Sequence, residues 1–140
     1  MQKKRSLTTE EGEGYRRIVT LHRHIKKSVA KMPPTPRQCK YWMELRDAWN
    51  QMKAPAGMER VWEANTKLVE NLAQVGKGCL GIAAEGKPIL PFHISLLLDE
   101  NATAVASAAV TAWWDDKLIS PKYHLASVGI GLSKDLPSPP

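Results

Sequence analysis

Apolar side chains recur every three or four residues along three successive stretches, which is the pattern of amphipathic helices. The first predicted helix spans residues 9–31, with Thr8 or Thr9 as its N-cap and glutamates near its first turn. Pro33 and Pro34 end it, because proline lacks the amide hydrogen that a helix needs. Its apolar arc comprises Tyr15, Ile18, Leu21, His22, Ile25, Val29 and Met32.

Two further helices follow the proline break. The second is predicted over residues 35–53, with Thr35 as its cap and Pro36 in its first turn. The third is predicted over residues 58–75, ended by Gly76 and Gly78. Because the connections are short, the pattern predicts an all-α fold, an antiparallel three-helix bundle. The two apolar stripes are Cys39, Trp42, Leu45, Trp49 and Met52, and Met58, Val61, Trp62, Leu68, Val69, Leu72 and Val75.

The C-terminal part of the chain is less regular. Glycines predict a loop over residues 78–86, and the apolar run 89–98 fits either a strand or a buried helical turn. An alanine-rich stretch predicts a fourth helix over residues 99–114, with Asp99 as its cap. Proline and glycine then accumulate, so residues 136–140 are predicted to be mobile.

A chain of 140 residues suits one domain. The predicted organisation is an N-terminal tail of residues 1–8, a three-helix domain of residues 9–80 and a C-terminal extension of residues 81–140. No run of eighteen apolar residues occurs, so the sequence predicts no membrane-spanning helix.

The charge of the chain changes this picture, because it is concentrated on one side of the first helix. Lysine and arginine total 20 against 14 acidic residues, which favours an acidic partner. A face that is merely solvated normally mixes both signs, whereas this one nearly lacks acids, which favours a docking surface. Both interpretations are open at this stage. The basic face comprises Arg16, Arg17, Arg23, His24, Lys27 and Lys31.

Catalytic and metal-binding patterns are weak. His22 and His24 stand two residues apart on a helix, so they point in different directions and cannot share a metal ion. Cys39 and Cys79 have no paired spacing, and whether they form a disulfide is open. The glycines near residue 78 lack the P-loop pattern. The sequence therefore predicts a binding protein with no catalytic residue, no metal site and no cofactor of its own.

Several short motifs occur in a characteristic order. The run Tyr15-Arg16-Arg17, followed by Leu21-His22-Arg23, resembles the first helix of the LYR-motif (complex 1 LYR-like) family, and most of all its succinate dehydrogenase assembly factors. The proline break and the two segments 46–49 and 76–81 are similar to later features of that family. The resemblance covers residues 14–81, with Gly14 where the family has leucine and Trp49 where it usually has phenylalanine.

The resemblance implies a mitochondrial matrix protein that binds acyl carrier protein, together with the acyl chain on the carrier's 4'-phosphopantetheine arm. It implies partner-binding roles for Tyr15, Arg16, Arg17, Arg23, Lys27 and Arg46. It implies that an apolar tunnel for the acyl chain is lined by Ile18, Leu21, Ile25, Trp42, Trp49, Leu68 and Leu72. The simpler interpretation of these seven residues is that they pack together as core.

The family's second role is to chaperone iron–sulfur protein maturation, here of the iron–sulfur subunit of succinate dehydrogenase (complex II), or to contact its cluster-transfer machinery. One alternative is an LYR-like structural subunit of a respiratory complex or ribosome. Another class is a basic helical nucleic-acid-binding protein, which would use Arg16, Arg17, Arg23 and Lys27 against phosphates. The absence of a recognition-helix pattern argues against that class.

Overall fold

The chain folds into helices packed side by side. The computed structural model describes residues 7–30, 33–89, 100–117 and 135–140. These residues contain no strand, so the all-α prediction is confirmed. The helices are α1 (Thr9–Val29), α2 (Pro36–Asn50), α3 (Glu59–Ala84) and α4 (Glu100–Lys117).

The first two helices begin where the sequence predicts. Thr8 caps α1: its hydroxyl accepts from the amide of Glu11 at 3.1 Å, and the Glu11 carboxylate accepts from the amide of Thr8 at 3.2 Å. Thr35 and Gln38 form the same reciprocal pair at the start of α2, with Pro36 in the first position. The starts of α1 and α2 can be predicted from the sequence because the two partners of each cap are only three residues apart.

The predicted end of the third helix is wrong. The prediction stopped it at Gly76 and treated residues 78–86 as a loop, whereas α3 continues through both glycines to Ala84. The domain boundary predicted after residue 80 therefore falls inside a helix. A glycine inside a helix costs roughly 1 kcal/mol, which the burial of side chains such as Cys79 offsets.

Gly86 supplies the actual end of α3. Its φ is 76°, in the left-handed region that glycine adopts without steric cost. Its amide donates to the carbonyl of Ala83 at 3.0 Å, and the amide of Lys87 donates to the carbonyl of Ile82 at 3.3 Å. This pair of hydrogen bonds is the Schellman motif, which satisfies carbonyls that the helix leaves without partners.

Helices α2 and α3 run antiparallel. The Trp49 ring near the end of α2 stacks on the Trp62 ring near the start of α3, with centroids 4.2 Å apart. At the other end, the α2 backbone at Cys39 lies against Gly76, where an added Cβ would be 2.6 Å from the Cys39 carbonyl oxygen. The two helices are thus in contact along most of the length of α2.

Helix α1 packs on this pair in the direction opposite to α2. Near its end, the hydroxyl of Ser28 accepts from the indole of Trp42 at 2.8 Å. Near its start, a Cβ added at Gly14 would be 2.7 Å from the side chains of Met58 and Pro55. The two ends of α1 are therefore fixed against opposite ends of α2.

Helix α4 continues the alternation. Near its C-terminus, the Trp114 ring stacks on Tyr15 of α1 at a centroid distance of 4.2 Å, while Ala102 and Ala106 join the common core. The helix ends at Lys117, one turn later than predicted, and the predicted cap lies outside the described residues, as does most of the 89–98 run. Of the helices that the structure describes, none is long and apolar enough to cross a membrane.

Removing the Trp49 ring is expected to destabilise the fold. Trp49 is fully buried, stacks on Trp62 and donates its indole hydrogen to Thr66 at 2.9 Å. We expect Trp49→Ala to lower the free energy of unfolding by about 3–5 kcal/mol in urea titration. As a control, Val105→Ala at a 54% exposed position should change it by less than about 0.5 kcal/mol. Equal effects of the two substitutions would contradict the packing described.

Two glycine-to-alanine substitutions in α3 should have opposite signs. At Gly76 the new methyl group would meet the backbone of Cys39, so we expect a loss of about 1–3 kcal/mol of stability. At Gly81 no atom lies within 4 Å of an added Cβ, so alanine should stabilise the helix by about 0.5–1 kcal/mol. Thermal and urea unfolding of the two variants measure the difference directly. A stabilised Gly76→Ala chain would show that the two helices are not in close contact there.

Candidate functional site on the first helix

The basic face of α1 divides into a covered half and an open half. In the first half, Arg16 is half-buried, and Thr20 is 0% exposed with its hydroxyl donating to the Arg16 carbonyl at 2.8 Å. In the second half, Arg23, Lys26 and Lys27 are exposed. The sequence placed Arg16, Arg23 and Lys27 on one equivalent face and did not include Lys26, but only the second half of the helix has fully exposed cations.

The C-terminal segment, residues 135–140, lies against the covered half. Asp135 accepts from the guanidinium of Arg17, with 2.7 Å between Nε and Oδ2. The side chain of Leu136 is only 4% exposed and belongs to the common core. The segment predicted to be mobile thus begins with a buried side chain, next to the ion pair of Asp135.

The segment also contacts α2. The hydroxyl of Tyr41 donates to the carbonyl of Pro137 at 2.8 Å, and burial raises the pKa of this tyrosine. Burial lowers the pKa of His24, the carbonyl of Pro137 opposes that shift, and Lys27 adds to it. The C-terminal segment thus lies across both helices.

The open half contains cations that no described acid neutralises. Among the described residues, no carboxylate lies within salt-bridge distance of Arg23, Lys26 or Lys27. The predicted cation of α2, Arg46, differs from them, because it is partly buried and contacts the neighbouring Asp47 at 3.1 Å. Of the basic side of α1, the part open to an anionic partner is therefore the C-terminal half, and we call its exposed cations the cationic patch: Arg23, Lys26 and Lys27.

The residues that open the LYR-like motif are engaged within the chain. Tyr15 stacks on Trp114 and lies 6.0 Å from the ring of Trp113, and burial raises its pKa. Gly14 has a structural reason for being glycine, because any side chain there would collide with Met58. A leucine, which the family carries at this position, would require the side chains of Met58 and Pro55 to shift. Only Arg23 and Lys27 of the predicted partner-binding residues are openly exposed.

The candidate tunnel residues lie together in the interior. All seven belong to one apolar cluster, with exposures from 0% to 8%. In this arrangement they pack as core, and an acyl chain would reach them only if the helices moved apart. The seven are Ile18, Leu21, Ile25, Trp42, Trp49, Leu68 and Leu72.

A polar pair crosses the interface between α1 and α3. The Nε2 hydrogen of His22 is donated to Oδ1 of Asn65 at 2.6 Å, and the amide nitrogen of Asn65 donates to the carbonyl of Val61 at 2.7 Å. Burial lowers the pKa of His22, and the hydrogen bond to Asn65 partly opposes this. Both residues interrupt apolar stripes in the sequence, which is the signal that could have predicted their pairing.

Sequence reasoning missed a cavity of ≈ 670 Å³ between the start of α3 and the end of α4. Its walls carry both signs of charge, and Glu59 has a lowered pKa because backbone amides and Lys117 stabilise its carboxylate. The pattern was not readable because the two walls are about fifty residues apart in sequence. The lining is Gly57, Glu59, Arg60, Val61, Ala109, Ala112, Trp113, Asp116 and Lys117.

The side chains of Cys39 and Cys79 lie next to each other in the interior. Both are free thiols, and burial, aided by the neighbouring Cys79, raises the pKa of Cys39 to about 12. A thiol with so little thiolate is a poor nucleophile. Within the described ranges, no group of three histidine, cysteine or acidic residues could hold a metal ion.

Comparison with known proteins identified no relative of this chain. No protein-family model, curated protein or solved structure matches the chain. The features that bear on function are therefore the cationic patch, the C-terminal segment and the motif resemblance carried by residues 14–81.

The partly buried imidazole of His22 should make stability depend on pH. Because its folded pKa is below the ordinary value of about 6.5, the unfolded chain takes up a proton first as the pH falls. The free energy of unfolding that depends on a neutral His22 is therefore fully present above about pH 6.5. It is lost as the pH falls from that value to the lower pKa of His22 in the folded chain. In urea titrations at pH 7.5 and 5.5, we expect His22→Gln to lose less stability at the lower pH than the parent does. Identical losses in the parent and His22→Gln would contradict this assignment.

Proposed function

We propose that this chain is an adaptor that binds an acidic protein through the cationic patch. More specifically, we propose a mitochondrial matrix assembly factor of the LYR type whose acidic partner is acylated acyl carrier protein. The observation that carries the proposal is that Arg23, Lys26 and Lys27 are exposed, with no described carboxylate within salt-bridge distance. The motif resemblance supplies the identity of the partner.

The physical chemistry of the patch favours a partner over a purely solvated face. Arg23 and Lys27 are four residues apart, so their charges repel each other along the helix. The negative end of the α1 dipole offsets part of that repulsion, and an anionic surface would remove more of it. Contacts of this exposed kind mainly raise the association rate and select the partner, and they weaken with salt.

The carrier's acyl chain would contribute most of the affinity. Each buried CH2 group is worth roughly 0.8 kcal/mol as an upper guide. On α1 itself, the apolar side chains available to the acyl chain are those of its buried side: Ile18, Leu21 and Ile25. Entry of the chain requires α1 to move away from α2 and α3. The contacts that resist this movement are the hydrogen bonds of Ser28 and His22.

The client of the proposed factor is an iron–sulfur subunit, with that of succinate dehydrogenase favoured by the resemblance. No described group of residues is suited to hold a cluster, so the proposed role is to protect or present the client. A permanent LYR-like subunit of a respiratory complex or ribosome would use the same patch. A nucleic acid would also be attracted to these cations, and the binding experiment separates the two classes of partner.

Charge reversal on the patch tests the proposal. We expect Arg23→Glu with Lys27→Glu to weaken binding of acylated acyl carrier protein by about a hundredfold, because like charges at an interface cost several kcal/mol. The matched control is Lys53→Glu with Lys77→Glu, which makes the same change of charge at exposed positions on other elements and should leave binding nearly unchanged. Fluorescence anisotropy with labelled carrier measures the affinity, and circular dichroism verifies that helicity is retained.

Two outcomes would contradict the proposal. If the patch-reversed chain binds the carrier as the parent does, the patch is not the docking surface. If no chain binds the carrier while the parent binds a DNA duplex in a salt-sensitive manner, the nucleic-acid alternative replaces the adaptor. Affinity purification from mitochondria, with intact mass of the co-purifying proteins, identifies the carrier and its acyl chain independently.

A further inference from the structure

Three consecutive residues of the C-terminal segment make three different kinds of contact with α1 and α2. Asp135 contributes a carboxylate to Arg17, Leu136 buries an apolar side chain, and Pro137 offers its carbonyl to Tyr41. Charge, apolar burial and a backbone hydrogen bond are the elements by which grooves recognise extended peptides. The prolines of the segment also favour an extended backbone, which lowers the entropy lost on docking.

We propose that the C-terminal segment is an intramolecular ligand of the surface that Arg17 of α1 and Tyr41 of α2 contribute to, which we call the cleft. It competes there with an extended segment of the acidic partner that carries a carboxylate followed by an aliphatic residue. The proposal deepens the proposed function and rests on it only for the statement that the partner is acidic. It assigns the cleft as an interaction surface and the segment as its regulator.

The contacts that hold the C-terminal segment are weak enough for a partner's segment to replace it. The side chains of the ion pair are 28% and 50% exposed, so the pair contributes at most about 1 kcal/mol. Leu136 is the main anchor, because it is the deeply buried member of the segment. Tethering keeps the segment at high local concentration, so it outcompetes a weak outside peptide but yields to a partner with additional contacts.

The cleft adjoins the cationic patch. Arg17, which pairs with Asp135, lies on the same helix as the patch and less than two helical turns before Arg23. Release of the C-terminal segment would remove the carboxylate of Asp135 from this side of α1 and expose the guanidinium of Arg17. The cationic surface offered to the partner would then extend toward the N-terminal half of the helix.

The test uses the full chain and a fluorescein-labelled peptide with the sequence of residues 135–140, followed by fluorescence polarisation at low salt. If the closed segment occupies the cleft about nine-tenths of the time, its release raises apparent peptide affinity about tenfold. We expect that gain for Leu136→Asp, a smaller gain for Asp135→Asn, and none for the exposed control Ser138→Ala. Adding Arg17→Ala to Leu136→Asp should cancel the gain, since the receptor then lacks its cation.

Equal affinity of the peptide for the parent and for a folded Leu136→Asp chain overturns the proposal, as does a gain that survives Arg17→Ala or a peptide that binds no chain. If Leu136→Asp does not fold, Asp135→Asn with and without Arg17→Ala decides by the same criteria. Carrier binding is measured on the same proteins. Loss of carrier binding from every chain overturns the proposed function, whereas the peptide result alone decides the regulation by the segment.

Discussion

The close contact between α2 and α3 is the constraint on which the rest of the structure depends. At one end two indole rings stack, and at the other the absent side chain of Gly76 lets the backbone at Cys39 approach directly. These two contacts make the pair a fixed base. Helix α1 packs on it through large side chains such as Trp42, whereas α4 packs through small ones such as Ala106. The helix α1, with its cationic side, is therefore positioned on a base that it does not help to form.

Features of the fold that depend on neighbours in sequence were predictable, and those that depend on distant residues were not. The caps at Thr8 and Thr35 need only a partner three residues on, so the starts of α1 and α2 were read correctly. The end of α3 was misread because glycine is locally unfavourable in helices, while Gly76 is placed there by the approach of α2. The docking of the C-terminal segment left no periodic signal, since Arg17 and Tyr41, the partners of Asp135 and Pro137, lie about a hundred residues earlier.

The candidate site shows the same division. A helical projection identifies the charged side of α1 correctly but treats every position on that side as equal. The structure distinguishes them, because Thr20 and Arg16 are covered while Arg23 and Lys27 are open, and this difference arises from tertiary packing. The resemblance to the LYR family likewise concerns residue order alone. It could not indicate that Tyr15 stacks against α4.

The hydrogen bond between His22 and Asn65 restricts how α1 is rotated about its own axis. Successive residues of a helix are 100° apart, so a rotation by one position would bring Arg23 toward the interior in place of the imidazole. An apolar core alone would tolerate small rotations, since leucine and isoleucine contacts are not directional. The hydrogen bond of this neutral pair is directional, and the 2.6 Å distance between Nε2 and Oδ1 leaves α1 little freedom to rotate. An uncharged interaction in the interior thus specifies where the positive charges of the surface point.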